Sequence, residues 1–115
     1  MINFEKKDKY LLITGEGELS HSPGRWKEVY SVIEETQSRL VLVDYRKVNF
    51  NIPNVDAFNS VRFYESKPKL ISGAVVLNEK NMSIGNFWQD VAKARGFNFQ
   101  VFTDFVEAEN WLLKQ

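Results

Sequence analysis

The chain contains no cysteine, one histidine and only three prolines in 115 residues. Without cysteine there is no disulfide, no thiolate nucleophile and no thiolate metal ligand, which fits a reducing cytoplasm. The single histidine, His21, lies in a Ser-His-Ser stretch. A general base needs a group to activate and a partner to orient it, and flanking serines supply neither, so His21 reads as a loop residue. Any metal site would have to be assembled from scattered carboxylates. No apolar run approaches the ~20 residues that cross a bilayer, and Lys6 and Lys7 interrupt the first apolar stretch before a signal-peptide core can form. The charges cancel, 15 Lys plus Arg against 15 Asp plus Glu, so there is no basic field to draw nucleic acid. The expectation is one soluble, cytoplasmic domain over residues 1–115, with no nucleic-acid partner and membrane association at most peripheral.

What the chain does have is aromatic residues: nine Phe, four Tyr and three Trp. So many rings in a small domain fill a dense core or line a cavity. They fall in a β/α alternation. Strands are expected over 2–6 and from Tyr10 through Thr14 to Leu19, as an antiparallel hairpin. Ser22-Pro23 then starts a helix, serine as cap and proline in the first turn, with Trp26, Val29, Tyr30 and Ile33 along one face. The continuous apolar run 40–43 marks a strand covered on both faces, and 45–54 reads as the loop after it. Pro53 and Asn54 open a second helix with Ala57, Phe58, Val61 and Tyr64 on its stripe and Phe63 on the opposite side. Lys67-Pro68 ends it. A buried strand over 71–77 follows, then a helix capped by Asn81 or Ser83 with Ile84, Phe87, Trp88, Val91 and Ala92 inward and Gly96 as its stop. A strand over 97–102 runs into Asp104, placed to cap a last helix in a capping box with Glu107. That helix buries Phe105, Ala108, Trp111 and Leu112. The order is ββαβαβαβα, an α/β fold with a mixed, mostly parallel five-stranded sheet and helices packed on it.

Catalytic and cofactor signatures fail on inspection. Gly15-Glu16-Gly17 is half of a dinucleotide fingerprint, but Ser20 stands where the third glycine belongs, and Glu16 and Glu18 would repel a pyrophosphate. Asp44, after the central strand, resembles the phosphoacceptor of receiver domains, yet the last strand ends Phe102-Thr103-Asp104 with no lysine. Asp44 is better read as a strand-end residue bonding nearby backbone or pairing with Arg46 or Lys47. No enzymatic activity and no cofactor are expected. Ligands of open α/β sheets sit beyond the carboxyl ends of the strands. There Phe50, Ile52, Phe58, Met82 and Phe87 are candidates for an apolar crevice, with Asn49, Asn51 and Asn54 as polar markers.

The ending Val101-Phe102-Thr103-Asp104-Phe105, with Glu107-Ala108 and Trp111-Leu112, resembles the SpoIIAA-like family. So do the central strand 40–44, the next strand at 74–77, and Phe87-Trp88, Val91-Ala92 and Arg95-Gly96 before the last strand. These are small bacterial domains with a fold related to STAS domains, the anti-sigma-factor antagonists. The resemblance implies a STAS/SpoIIAA-like sandwich. It also implies an uncharacterised binding role, with a lipophilic small molecule or a membrane surface proposed for such proteins. A STAS antagonist switches by phosphorylation of a serine at the start of the helix after the central strand. This chain has Asn51-Ile52-Pro53-Asn54 there, and the next serine, Ser60, falls inside the helix. Two expectations result. One is a non-enzymatic domain holding an apolar ligand at Phe50, Asn51, Ile52, Phe58, Met82 and Phe87. The alternative is a STAS-like interaction or regulatory module without the phosphorylatable serine, meeting a protein partner or a second copy through Asn54 and Phe63.

Overall fold

A computed structural model describes residues 2–19, 23–50, 59, 62, 63 and 71–115. Strands β1 (Ile2–Lys6) and β2 (Leu11–Leu19) form the hairpin, and helix α1 (Pro23–Glu35) follows. Next come β3 (Leu40–Phe50), β4 (Ser72–Leu77), a 3-10 turn (Glu79–Asn81) and α2 (Met82–Ala94). The chain ends with β5 (Asn98–Phe102) and α3 (Phe105–Leu112). Asn59, Arg62 and Phe63 are helical, at the place of the helix expected after Pro53. The sheet runs β1-β2-β3-β4-β5. β1 lies antiparallel to β2 and the other three pairs are parallel, as the β/α alternation requires.

The register lines up two faces. Leu12, Leu42 and Ala74 stand side by side across β2, β3 and β4. With Val76 and Tyr10 they bury against Ala108 and Leu112 of α3. One residue along each strand the side chains point the other way. There Leu11, Ile13, Val41 and Val43 meet Val29, Val32 and Ile33 of α1. Further along that same face, Trp88, Val91 and Ala92 of α2 cover Phe97 and Phe99. Trp88 and Phe99 stack at 5.3 Å, and Phe97 and Phe99 stack at the same distance. The Phe99 ring fits because β4 presents Gly73 opposite it, where a Cβ would come within 2.9 Å of the ring.

Local sequence accounts for the helix ends. Asp104 is extended and its carboxylate accepts from Val106 N at 2.8 Å and Glu107 N at 3.3 Å, so it caps α3 as expected. Gly96 takes φ +86° and ends α2 with paired bonds, Phe97 N to Ala92 O at 3.0 Å and Gly96 N to Lys93 O at 3.1 Å.

Two expectations are corrected. β3 does not stop near Val43; it continues to Phe50, so 45–50 is strand rather than loop. β2 runs equally far, through a register shift between Thr14 and Glu16, and pairs the extension from Glu16↔Lys47 to Leu19↔Phe50. The extension alternates as a half-buried strand does, with Val48 buried, Asn49 exposed and Phe50 half-buried. Three charged residues, Asp44, Arg46 and Lys47, disguise that alternation in the sequence. Secondly, Asn81 occupies the cap position of α2 but its side chain makes no capping bond.

Tyr10 ties the hairpin to the far end of the chain. Its ring is buried and its hydroxyl donates to Glu109 Oε2 at 2.6 Å. Burial, then the hydrogen bond and charge of Glu109, push the phenol up to about 12. The folded state therefore holds this proton more tightly than the unfolded chain does. The stabilisation is complete below pH ~10, the ordinary tyrosine value, and is lost as pH rises from there through about 12. Urea denaturation should show Tyr10→Phe less stable than wild type by about 1 kcal/mol at pH 7. The gap should close between pH 10 and 12, and a constant gap would mean that the phenol does not titrate with folding. Leu42→Ala, at a site with no exposed surface, should cost about 2–5 kcal/mol in the same measurement, whereas Val106→Ala on the exposed side of α3 should stay within about 0.5 kcal/mol.

Candidate functional site

The two faces of the sheet are covered unequally. Among the described residues α1 and α2 cover one face, while the other has only the eight residues of α3 over β3, β4 and β5. On the β1–β2 side of α3 the register sets a polar row, Asn3↔Thr14↔Asp44, where the next row has Leu12 and Leu42. These three residues, with Gly15, Glu16, Arg46 and Lys47, line an open cleft of about 540 Å³.

Two of the charges in this cleft, Asp44 and Arg46, are paired with each other. Asp44 and Arg46 are two apart on one strand, so their side chains share a face. Arg46 donates from Nε to Oδ1 at 2.9 Å and from Nη2 to Oδ2 at 2.8 Å, and its backbone N reaches Oδ1 at 3.3 Å. Such a two-pronged contact is the strongest geometry for this pair. The guanidinium also lies 5.5 Å from the centre of the Phe105 ring. Burial alone would raise the Asp44 carboxyl. The Arg46 hydrogen bonds and charge, helped by Lys47, outweigh that and hold it below its ordinary value. The hydrogen bonds from Arg46 to Asp44 raise the guanidinium in turn, against its partial burial, and the charge of Asp104 adds to this. Both oxygens of the candidate phosphoacceptor are thus engaged by arginine. Across the strands, Glu16 stands opposite Lys47.

The glycines of the half-fingerprint are strand residues. Gly15 lies beneath Tyr45, whose ring a Cβ would meet at 2.8 Å, and Gly17 takes φ +88° just past the register shift. Neither forms a phosphate cradle. Glu16 and Glu18 are exposed on β2, and His21 lies outside the described residues. Among the described residues no three His, Asp or Glu side chains gather into a metal site.

The expected crevice is only partly in view. Asn51, Ile52, Asn54 and Phe58 lie outside the described residues. Phe50 is half-buried and tilts against Tyr45 at 5.9 Å. Met82 and Phe87, on α2, are half-buried. Phe63 is half-buried and meets the Tyr30 ring of α1 edge-on at 6.5 Å. Two residues near this end went unnoticed as a pair, Asn78 and Asn81, whose side chains reach back to the β3 carbonyls. An asparagine after a strand reads as a turn or cap residue, so only the packed structure reveals that role.

Arg46→Met tests the fork. Losing it leaves burial dominant at Asp44, so the carboxyl midpoint should move up in a ¹³C-detected NMR titration. An unmoved midpoint would show that Lys47 and solvent, not Arg46, govern the group.

The fold has solved counterparts. The chain superposes on an anti-sigma factor antagonist from Mycobacterium paratuberculosis with a TM-score of 0.72 at 16% identity, covering 98% of this chain and 93% of that one. It superposes on an uncharacterized protein with a SpoIIAA-like fold from Shewanella loihica with a TM-score of 0.61 at 16% identity, covering 97% and 92%. No protein-family model and no curated protein sequence matches. The near-complete coverage shows the architecture: the chain has the SpoIIAA-like, STAS-related α/β fold.

Proposed function

We propose that this chain is a non-enzymatic, STAS-like protein-interaction module that acts without a phosphoserine switch. The observation that carries the reading is the superposition, over nearly the whole chain, on an anti-sigma factor antagonist, a protein whose name describes action on another protein. Two features of this chain support it. The one acidic strand-end residue placed like a phosphoacceptor, Asp44, has its oxygens held by Arg46. At the start of the segment after β3, where the family's serine is expected, stand Asn51, Ile52, Pro53 and Asn54. The contact surface in this reading is that segment together with the exposed Asn49 at the end of β3 and the Phe63 edge. The lipophilic-ligand reading draws no support from the cleft, whose lining residues other than Gly15 are of polar or charged type.

The test is affinity purification of the tagged chain from its own source, beside Asn49→Arg and Asn54→Arg. One protein recovered at stoichiometric level with wild type and lost with either arginine variant is the expected result. Recovery of no protein, or equal recovery with both variants, would overturn the reading. A native mass spectrum carrying a bound lipid, with no protein recovered, would move the assignment to the apolar crevice at Phe50, Ile52, Phe58, Met82 and Phe87.

A further inference from the structure

β3 outruns one of its neighbours. Its ladder with β4 ends where Tyr45 faces Leu77, yet β3 continues to Phe50. On the β2 side the tail stays paired as far as Leu19↔Phe50. On the other side the chain has turned away into Glu79–Asn81, and among the described residues no strand supplies donors to the tail. Buried backbone carbonyls demand partners, and side chains stand in for the missing strand. Asn78 Nδ2 donates to Arg46 O at 3.0 Å and to Val48 O at 3.3 Å. Asn81 Nδ2 donates to the same Val48 O at 2.9 Å.

These bonds use the Nδ2 donors; capping would use the Oδ1 acceptors, and among the described residues the buried Asn78 Oδ1 has no partner. Asn78 precedes the 3-10 turn and Asn81 precedes α2, the positions where an asparagine side chain normally caps, and neither makes a capping bond. Asn81 is only 7% exposed, and Val48 is fully buried. An amide kept that deep is kept for its hydrogen bond.

We propose that Asn78 and Asn81 form a latch that holds the last residues of β3 in strand form. The latch thereby sets how far β3 extends, to Phe50. On the β4 side the centre of β3 is held by a backbone ladder and the tail by side-chain bonds, so loss of the latch weakens that edge of the tail and leaves the centre as it is. The importance of the latch for partner binding rests on the interaction reading above; its existence does not, and its readout is independent of any partner.

The experiment is amide hydrogen exchange followed by NMR, on wild type, Asn78→Leu and Asn81→Leu. Either variant should speed exchange of the tail amides of residues 47–50 by at least about tenfold, since Asn81→Leu removes one hydrogen bond and Asn78→Leu two. The amides of Leu42 and Val43 should change by less than about twofold, because they sit in ladders the latch does not touch. Unchanged tail amides in both variants would overturn the latch. So would equal acceleration at Leu42 and Val43, which would make the asparagines general supports of the sheet. If Asn81→Leu does not fold, Asn78→Leu, at a half-buried position, decides by the same comparison.

Discussion

Burial of β3 on both faces is the constraint from which the rest of this structure follows. Leu42 and Val41 are adjacent, point in opposite directions and are both buried. A strand of this kind needs a neighbour on each edge and a layer on each face. The edges are β2 and β4; one face takes α1, and the other takes Ala108 and Leu112 of α3. Helix α3 can serve only because Asp104 starts it directly after β5. Tyr10 then joins it to the start of β2 through Glu109. The two ends of the chain are thus tied across the central strand.

The second consequence is asymmetry. Among the described residues α1 and α2 lie on one face, and the other face is covered by the single short helix α3. Beyond α3 the sheet changes from Leu12 and Leu42 to Thr14 and Asp44, since a row open to water has no use for apolar side chains. Asp44 is kept ionised there by Arg46, and Arg46 is kept in place by Asp44 and the Phe105 ring. That arrangement engages both carboxylate oxygens of Asp44.

Much of this was legible in the residues. The hairpin, the double-sided strand, the Gly96 stop and the Asp104 cap each rest on signals contained within a few positions: an apolar run, a positive-φ glycine, a carboxylate before a helix. That Asp44 would bond nearby backbone or pair with Arg46 or Lys47 was legible for the same reason, being a local contact, and the structure selects Arg46. The tail of β3 was not. Arg46 and Lys47 look like a loop until β2 is placed alongside, because strand pairing is a contact between segments some thirty positions apart in sequence, as in Glu16↔Lys47. The likeness to SpoIIAA-like proteins, read from packing and capping residues, agreed with the superposition because those residues are what such a fold is made of.

The sequence by itself therefore determined the order of elements, the class of fold and the lack of thiol chemistry, since each depends on local periodicity, local capping or composition. Only the tertiary structure decided how far β3 extends, which face of the sheet lies open, and what Asn78 and Asn81 do. Those outcomes depend on which backbone groups remain without a partner after the strands have been laid side by side. An asparagine carries no mark in the sequence to show whether it will cap its own helix or bond to a distant strand.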